Sequence, residues 1–354
     1  MSLDSEGGQP TLEQVAARAG VGRGTASRVI NGSPQVSART REVVMKAVEE
    51  LGYVPNQAAR TLVTRRTGTV ALVIAESEER IFGEPFFAGV VRGISAALND
   101  ASRQLVLSLV HTNDQAQRLG SYLTRQHVDG VLLLSLHDDE AFPVDLDARR
   151  LPVVLGGRSA HWAGSFVDVD NVDGGRQAVN HLIKSGRRTI ATISGPRAMA
   201  SGRDRLEGYA AALRDAGLPY DEELVVEGSF SELSGRTGME ELLARRPDID
   251  GVFAASDLMA MGAMRALRAH DRRVPEDVGV IGFDGTKASE TTEPPLSTVR
   301  QPLVELGRGM AEMLLRHIEA ADQTVETEIL PIELIVREST VVGLPPTVPE
   351  ECCS

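Results

Sequence analysis

Cysteine is almost missing from this chain: the only two, Cys352 and Cys353, stand side by side near its end. Neighbouring thiols at one terminus supply neither a disulfide framework nor a spaced set of metal ligands. A prenylation box would need its cysteine where Glu351 stands. Long apolar runs are missing too, and nothing approaches the length that spans a bilayer. The opening "MSLDSEGGQP" is acidic and polar, the reverse of a secretory leader. Enzyme signatures are also wanting, with no G-x-S-x-G elbow and no P-loop. His111, His127, His161 and His181 are scattered and read as solvent or packing residues. The expectation is a protein of a reducing cytoplasm, with no membrane partner, no catalysis and no cofactor.

Basic excess is lacking as well: 37 Lys and Arg face 50 Asp and Glu, a net charge of −13. The charge is unevenly spread. Residues 1–66 hold nine Lys/Arg against six Asp/Glu, so the remainder carries all of the acidic excess. Such asymmetry fits a small nucleic-acid-binding head on an acidic body, or a solvated helical surface.

What is present divides into segments. A chain of 354 residues suits two or three domains, and 42% hydrophobic with 25% charged residues is a globular balance. Residues 1–9 read as a disordered lead and 10–54 as three helices. In "TLEQVAARAG", Thr11 is the N-cap, Gln14 its capping-box partner and Gly20 the stop. A second helix runs from Arg23 to Ile30. The third follows Ser37 and ends at Gly52, with Val43, Val44, Ala47, Val48 and Leu51 facing inward. Residues 55–68 read as a basic linker able to become a helix. From 69 to 345 strand-length apolar runs alternate with amphipathic helices. "TVALVIA", "QLVLSLV", "DGVLLLSL" and "LPVVLG" form one set; "RTIATISG", "LVVEGSF", "DGVFAAS" and "VGVIGFDG" form the next. Two consecutive βαβ sets predict two parallel-sheet lobes. Their boundary falls near 156–171, with crossing strands near 285–301. "TVETEILPIELIVREST" is expected to return strands across the hinge, and 346–354 is a tail.

"AGVGRGTASRVING", residues 19–32, has glycines enough for a phosphate-cradling loop. That loop needs a strand before its glycines, whereas a capped helix precedes Gly20 and no strand is expected before residue 69. A helix-turn-helix remains, either as a plain structural bundle or as a head whose second helix enters a DNA groove.

Residues 11–62 resemble, without a gap, the DNA-binding head and hinge of the lac repressor/galactose repressor family. The resemblance continues through "EPFFAGVVRGI", "VDVDN", "RDRLEGYAAAL", "ASDLMAMGAMRAL", "VGVIGFDG" and "PPLSTVRQP". It implies an all-α helix-turn-helix head and an α/β body of two lobes, of type I periplasmic-binding-protein-like architecture. It also implies a DNA-binding repressor under allosteric control by a small molecule, most often a sugar or its derivative, with a nucleobase as the alternative. Arg23 and Gly24 match the base-reading positions, beside Thr25, Ser27 and Arg28. Thr11, Asn31, Tyr53, Asn56 and Ala59 match further DNA contacts, and Leu62 matches an apolar wedge or else packs under the head. Two departures stand out: Gly22 where a capping serine is usual, and Gly24 where a larger side chain is.

In the body, Asp284 matches the sugar-gripping carboxylate, unless it only ends its strand. Arg205, with Arg203 as alternative, matches its cationic partner. Phe86 and Phe230 match ring-stacking positions, Phe86 with a core role equally open. Asp170, Ser256 and Gln301 match polar positions, while Asp257 is expected to cap its helix. Gly156 replaces a position that often carries Asp, and the lone tryptophan, Trp162, lines the pocket or shields the hinge. The tail has no heptad, which favours a homodimer over a tetramer and hence a pseudopalindromic operator.

Overall fold

The computed structural model describes residues 10–31, 33–54, 66–123, 127–135, 137, 151–320 and 324–341. The chain divides into two compact units, Met1–Thr67 and Gly68–Ser354.

The described residues of the first unit form three helices: α1 (Leu12–Arg18), α2 (Arg23–Ile30) and α3 (Ala38–Leu51). Thr11 and Gln14 close a reciprocal capping box, with Thr11 N–H donating to Gln14 Oε1 at 2.7 Å. Ser37 caps α3, and Gly52 ends it in the left-handed conformation that a residue without Cβ adopts freely. Val15, Ala16, Ala19, Ala26, Val29, Val44 and Ala47 form the core, with Tyr53 packed at its edge. Val43, expected inside, is 44% exposed. The inward stripe of α3 is Val44, Ala47, Val48 and Leu51, and one residue is a 100° rotation away from it.

In the second unit, one lobe begins with β1 (Thr69–Ile74), α4 (Glu78–Gly83), α5 (Pro85–Asp100) and β2 (Gln104–Leu109). It continues with α6 (Asn113–Tyr122), β3 (Gly130–Leu134), β4 (Val153–Gly156) and β5 (Phe166–Val169). The other lobe takes α7 (Asn171–Lys184), β6 (Ile190–Ser194), α8 (Ala200–Asp215), β7 (Val225–Glu227) and α9 (Glu232–Arg245). It adds β8 (Gly251–Ala254), α10 (Asp257–Ala269), β9 (Gly279–Asp284) and β10 (Ser297–Arg300). The chain returns to the first lobe with α11 (Leu303–Glu319) and β11 (Thr327–Leu330), then ends in the second with β12 (Glu333–Ile335). The sheets run β11-β5-β4-β3-β1-β2 and β12-β10-β9-β8-β6-β7. Every pairing is parallel except β10 with β12.

Both faces of each sheet are covered, which is why these strands read as continuous apolar runs. Val70, Leu72 and Ile74 pack on one side of β1, and Ala71 and Val73 on the other. The segments joining the lobes lie at Asp170, Gln301–Pro302 and Pro331–Ile332, between strands of different sheets. Among the described residues no helix is long and apolar enough to cross a membrane.

Candidate functional site

The exposed face of the head centres on the start of α2. Arg23 and Gly24 are exposed, Thr25 and Ser27 half-buried, while Ala26 and Val29 hold the helix to the core. Gly22 is the N-cap and offers no side-chain hydrogen bond, so the first N–H groups of α2 lack a side-chain acceptor. Arg23 Nε lies 3.0 Å from Glu13 Oε1 in an exposed ion pair. Arg28 Nε donates to Gly24 O at 3.2 Å, and Asn31 Nδ2 donates to Ser27 Oγ at 3.3 Å. Thr11 is spent on the capping box of α1. Asn56, Ala59 and Leu62 lie outside the described residues.

In the body, the carboxyl ends of both sheets face a cleft with about 740 Å³ of unfilled space, part of it open to solvent. Parallel sheets offer ligands this edge. Phe86, Arg205, Phe230, Ser256, Asp284 and Gln301 all line it. Asp170 does not: it is exposed, and its carboxylate accepts from Asp173 N as the cap of α7. Its neighbours Asp168 and Asn171 face the cleft instead. Ser256, and not Asp257, caps α10; its hydroxyl accepts from Met259 N and donates to Phe230 O. Asp257 is buried behind it, accepting from Thr286 and Thr298. Trp162 is absent from the cleft wall and packs on the first lobe's core, its indole N–H donating to Ser165 O at 3.2 Å.

Arg205 is seated by helix packing. A Cβ on Gly175 of α7 would stand 2.4 Å from Arg205 O, and one on Gly208 would stand 2.2 Å from Val172 O. The two glycines let α7 and α8 meet backbone to backbone, and the Arg205 side chain enters the cleft beneath Phe283. Its guanidinium lies 3.7 Å from that ring's centroid and 5.7 Å from Phe230's. It donates to Asn171 Oδ1 (2.9 Å) and Ala255 O (2.6 Å) and stands 3.6 Å from Asp284. Arg203, the alternative, points outward and donates to Arg197 O. Asp284 accepts from Gln301 Nε2 at 2.7 Å. Three non-glycine residues of the cleft, Ser135, Phe230 and Asp284, have positive φ (62°, 63° and 114°), a conformation that costs about 1–3 kcal/mol and clusters at ligand clamps.

Phe86 apart, sequence reasoning missed the first lobe's share, above all its charged residues. Arg80 is held between Glu76 and Glu84, donating to Glu84 Oε1 at 2.7 Å. Ser135 Oγ donates to Glu76 at 2.8 Å. The i, i+4 spacing of these charges in "ESEERIFGEP" was the available signal. Burial pushes Glu84 up to about 7, against the pull of Arg80. Burial likewise raises Asp284, against Arg205. Glu76, despite its burial, is kept below the usual range by His137, Arg80 and Ser135.

Glu84 therefore retains its proton in the folded chain where the unfolded chain, near 4.5, has lost it. Its stabilising contribution is whole below pH 4.5 and is lost as pH rises to about 7. Compared with Glu84→Gln, the native protein is expected to lose thermal stability across that interval. A melting-temperature difference constant from pH 4.5 to 8 contradicts this.

A helix-turn-helix with a bare-ended second helix serves to read duplex DNA, and paired lobes around a polar, aromatic cleft serve to hold a small solute. A chain carrying both belongs to the class of ligand-responsive transcriptional regulators. Comparison with known proteins gives the particular group. Residues 11–56 match the model for bacterial regulatory proteins of the lacI family, and 179–340 match a periplasmic binding protein-like domain. The HTH-type transcriptional regulator CelR of Thermobifida fusca is 54% identical over 94% of this chain and 98% of its own. The repressor PurR of Erwinia tasmaniensis is 36% identical over 94% and 97%. A CelR–cellobiose complex superposes with a TM-score of 0.76 at 52% identity, over 93% of this chain and 99% of that one. The lac repressor dimer bound to operator and the anti-inducer ONPF superposes at 0.83 and 28% identity, over 94% and 100%. The chain belongs to the lacI family of transcriptional regulators, and it is not an enzyme.

Proposed function

We propose that this regulator is a cytoplasmic homodimeric repressor of a pseudopalindromic operator, controlled by a sugar, with cellobiose or a closely similar disaccharide as effector. The observation that carries this reading is the convergence of Asp284, Arg205 and Gln301 with Phe86 and Phe230 on one interlobe cleft. A carboxylate accepts from neighbouring hydroxyls, a guanidinium donates to them, and aromatic faces cover the C–H faces of sugar rings. CelR, so similar over nearly the whole chain, has been seen with cellobiose. By linkage, the sugar shifts operator affinity by its differential affinity for the two lobe arrangements.

Homodimerisation is supported by β2, the edge strand of its sheet, whose Val106 and Leu107 are 41% and 42% exposed. A second copy covering this edge protects its open hydrogen-bonding groups. In the head, α2 enters the major groove with Arg23 on a guanine. The exposed pair with Glu13 is weak and readily exchanged for a base. Leu62 acts as a wedge in the minor groove. Titrating the protein onto inverted-repeat duplexes, with and without cellobiose, tests the whole reading. A preference for one repeat that changes with the sugar is expected; no repeat preferred over random competitor under either condition refutes it.

Arg23→Ala is expected to flatten base preference at one position of each half-site, by roughly 1–3 kcal/mol. Ser27→Ala, a phosphate-side change, weakens all sequences alike. An operator scan in which Arg23→Ala keeps the native preference reverses these roles.

A further inference from the structure

We propose that the cleft admits uncharged sugars and turns away their acidic counterparts, and that Glu84 of the first lobe, facing Asp284 of the second, makes this selection. The inference rests on the sugar reading of the site. Glu84 occupies the N-cap of α5, where a carboxylate ordinarily accepts from its own helix. It makes no such bond; it turns to Arg80, accepting from Nε at 2.7 Å and Nη2 at 3.2 Å.

The opposite side of Arg80 is given to Glu76, which also takes Ser135 and His137. That cation is thus claimed by two acids of its own lobe. Across the cleft Arg205 is claimed by Asn171, Ala255 O and Asp284, with Asp257 buried behind. Arg158 is shared between Asp168 and Asp204. Among the described residues, the charged ones of the wall are Glu84, Asp168 and Asp284 against Arg80 and Arg205. The acids are in excess and each arginine already has a carboxylate.

Among the described wall residues an anionic ligand finds no uncommitted cation, and it meets like charge in a cleft partly screened from solvent, where repulsion exceeds that in bulk water. A hydroxyl, donor and acceptor at once, meets no such penalty. Glu84 and Asp284 both hold protons to higher pH than ordinary carboxylates, so the exclusion is strongest above neutrality.

The test is calorimetric titration of the full-length protein with three ligands. They are cellobiose, the same disaccharide with its terminal hydroxymethyl oxidised to a carboxylate, and the neutral amide of that acid. Acid and amide share a shape and differ in charge. At pH 8 the acid is expected to bind roughly 100-fold more weakly than the amide, a factor that one close like-charge contact supplies. The gap is expected to shrink about tenfold at pH 5.5, and by a similar factor at pH 8 in Glu84→Gln. Equal affinity of acid and amide, including equal loss of both, overturns the proposal. So does a gap that neither Glu84→Gln nor acid pH narrows; if the variant does not fold, the native pH series decides alone. Binding of none of the three removes the sugar reading itself, and this inference with it. Cellobiose binding without charge discrimination removes only the inference.

Discussion

Asp284→Ala is expected to abolish the protein's thermal response to cellobiose while leaving operator binding in place. A ligand at one hundred times its Kd stabilises its target by about 2.7 kcal/mol, which for lobes of this size moves the melting point by roughly 5–10 °C. Asp284 ends β9 inside the cleft, with Gln301 and Arg205 holding its carboxyl in one orientation. A carboxylate gripping two adjacent hydroxyls makes two charge-assisted hydrogen bonds, each worth about 1.5–3 kcal/mol. Losing both weakens binding by about two to four decades, and the melting shift falls below about 1 °C. Alanine also takes the side-chain acceptor from Gln301 Nε2 and the ion-pair partner from Arg205, so a lower basal melting point is expected. Asp284→Asn, which still accepts from Gln301, separates that structural loss from the loss of ligand. Scanning fluorimetry against a sugar series reads both. An alanine variant that keeps the full shift places the effector elsewhere.

Leu62→Ser is expected to lower operator affinity by about 100-fold or more and to remove DNA bending, with the cellobiose shift unchanged. Leu62 lies outside the described residues. A side chain that parts two base pairs must replace lost stacking, worth a few kcal/mol per step, with apolar contact of its own. Serine is too small to fill the gap and prefers water. Circularly permuted duplexes in a mobility assay report affinity and bend together. A serine variant that binds and bends like the native protein makes Leu62 a packing residue of the head.

The parts of this protein legible from its sequence were those whose cause is local. Thr11 with Gln14, Ser37, Gly20 and Gly52 punctuate the head by capping and turn chemistry confined to four or five residues. The doubly covered sheets left unbroken apolar runs, so the rhythm of strands and helices could be counted. Phe166–Val169 escaped because it is short and carries Asp168 inside it. Val43 was misjudged by one residue, a full face of a helix.

The cleft was legible only in part. Asp284, Arg205, Phe86, Phe230, Ser256 and Gln301 meet there, yet resemblance chose Asp170 where the chain turns Asp168 and Asn171 inward. Arg203 and Arg205 are equivalent as letters; two residues apart on a helix, they point to nearly opposite sides, and the glycine contact of α7 with α8 decides between them. Likewise the cap of α10 fell to Ser256, which also lines the cleft, and not to Asp257, because an N-cap is set by backbone conformation and either polar neighbour could have supplied it. The Glu76–Arg80–Glu84 row acquires meaning only once the second lobe stands opposite it.

By itself, then, the order of residues determined the three-helix head, the two parallel lobes and the kind of regulator they make, because caps, turns and burial periods act over a few neighbours. The tertiary structure alone decided which charges face one another across the cleft. Carboxylates and guanidiniums from segments up to two hundred residues apart are set against each other by how helices pack on sheets, and no local pattern records that distance.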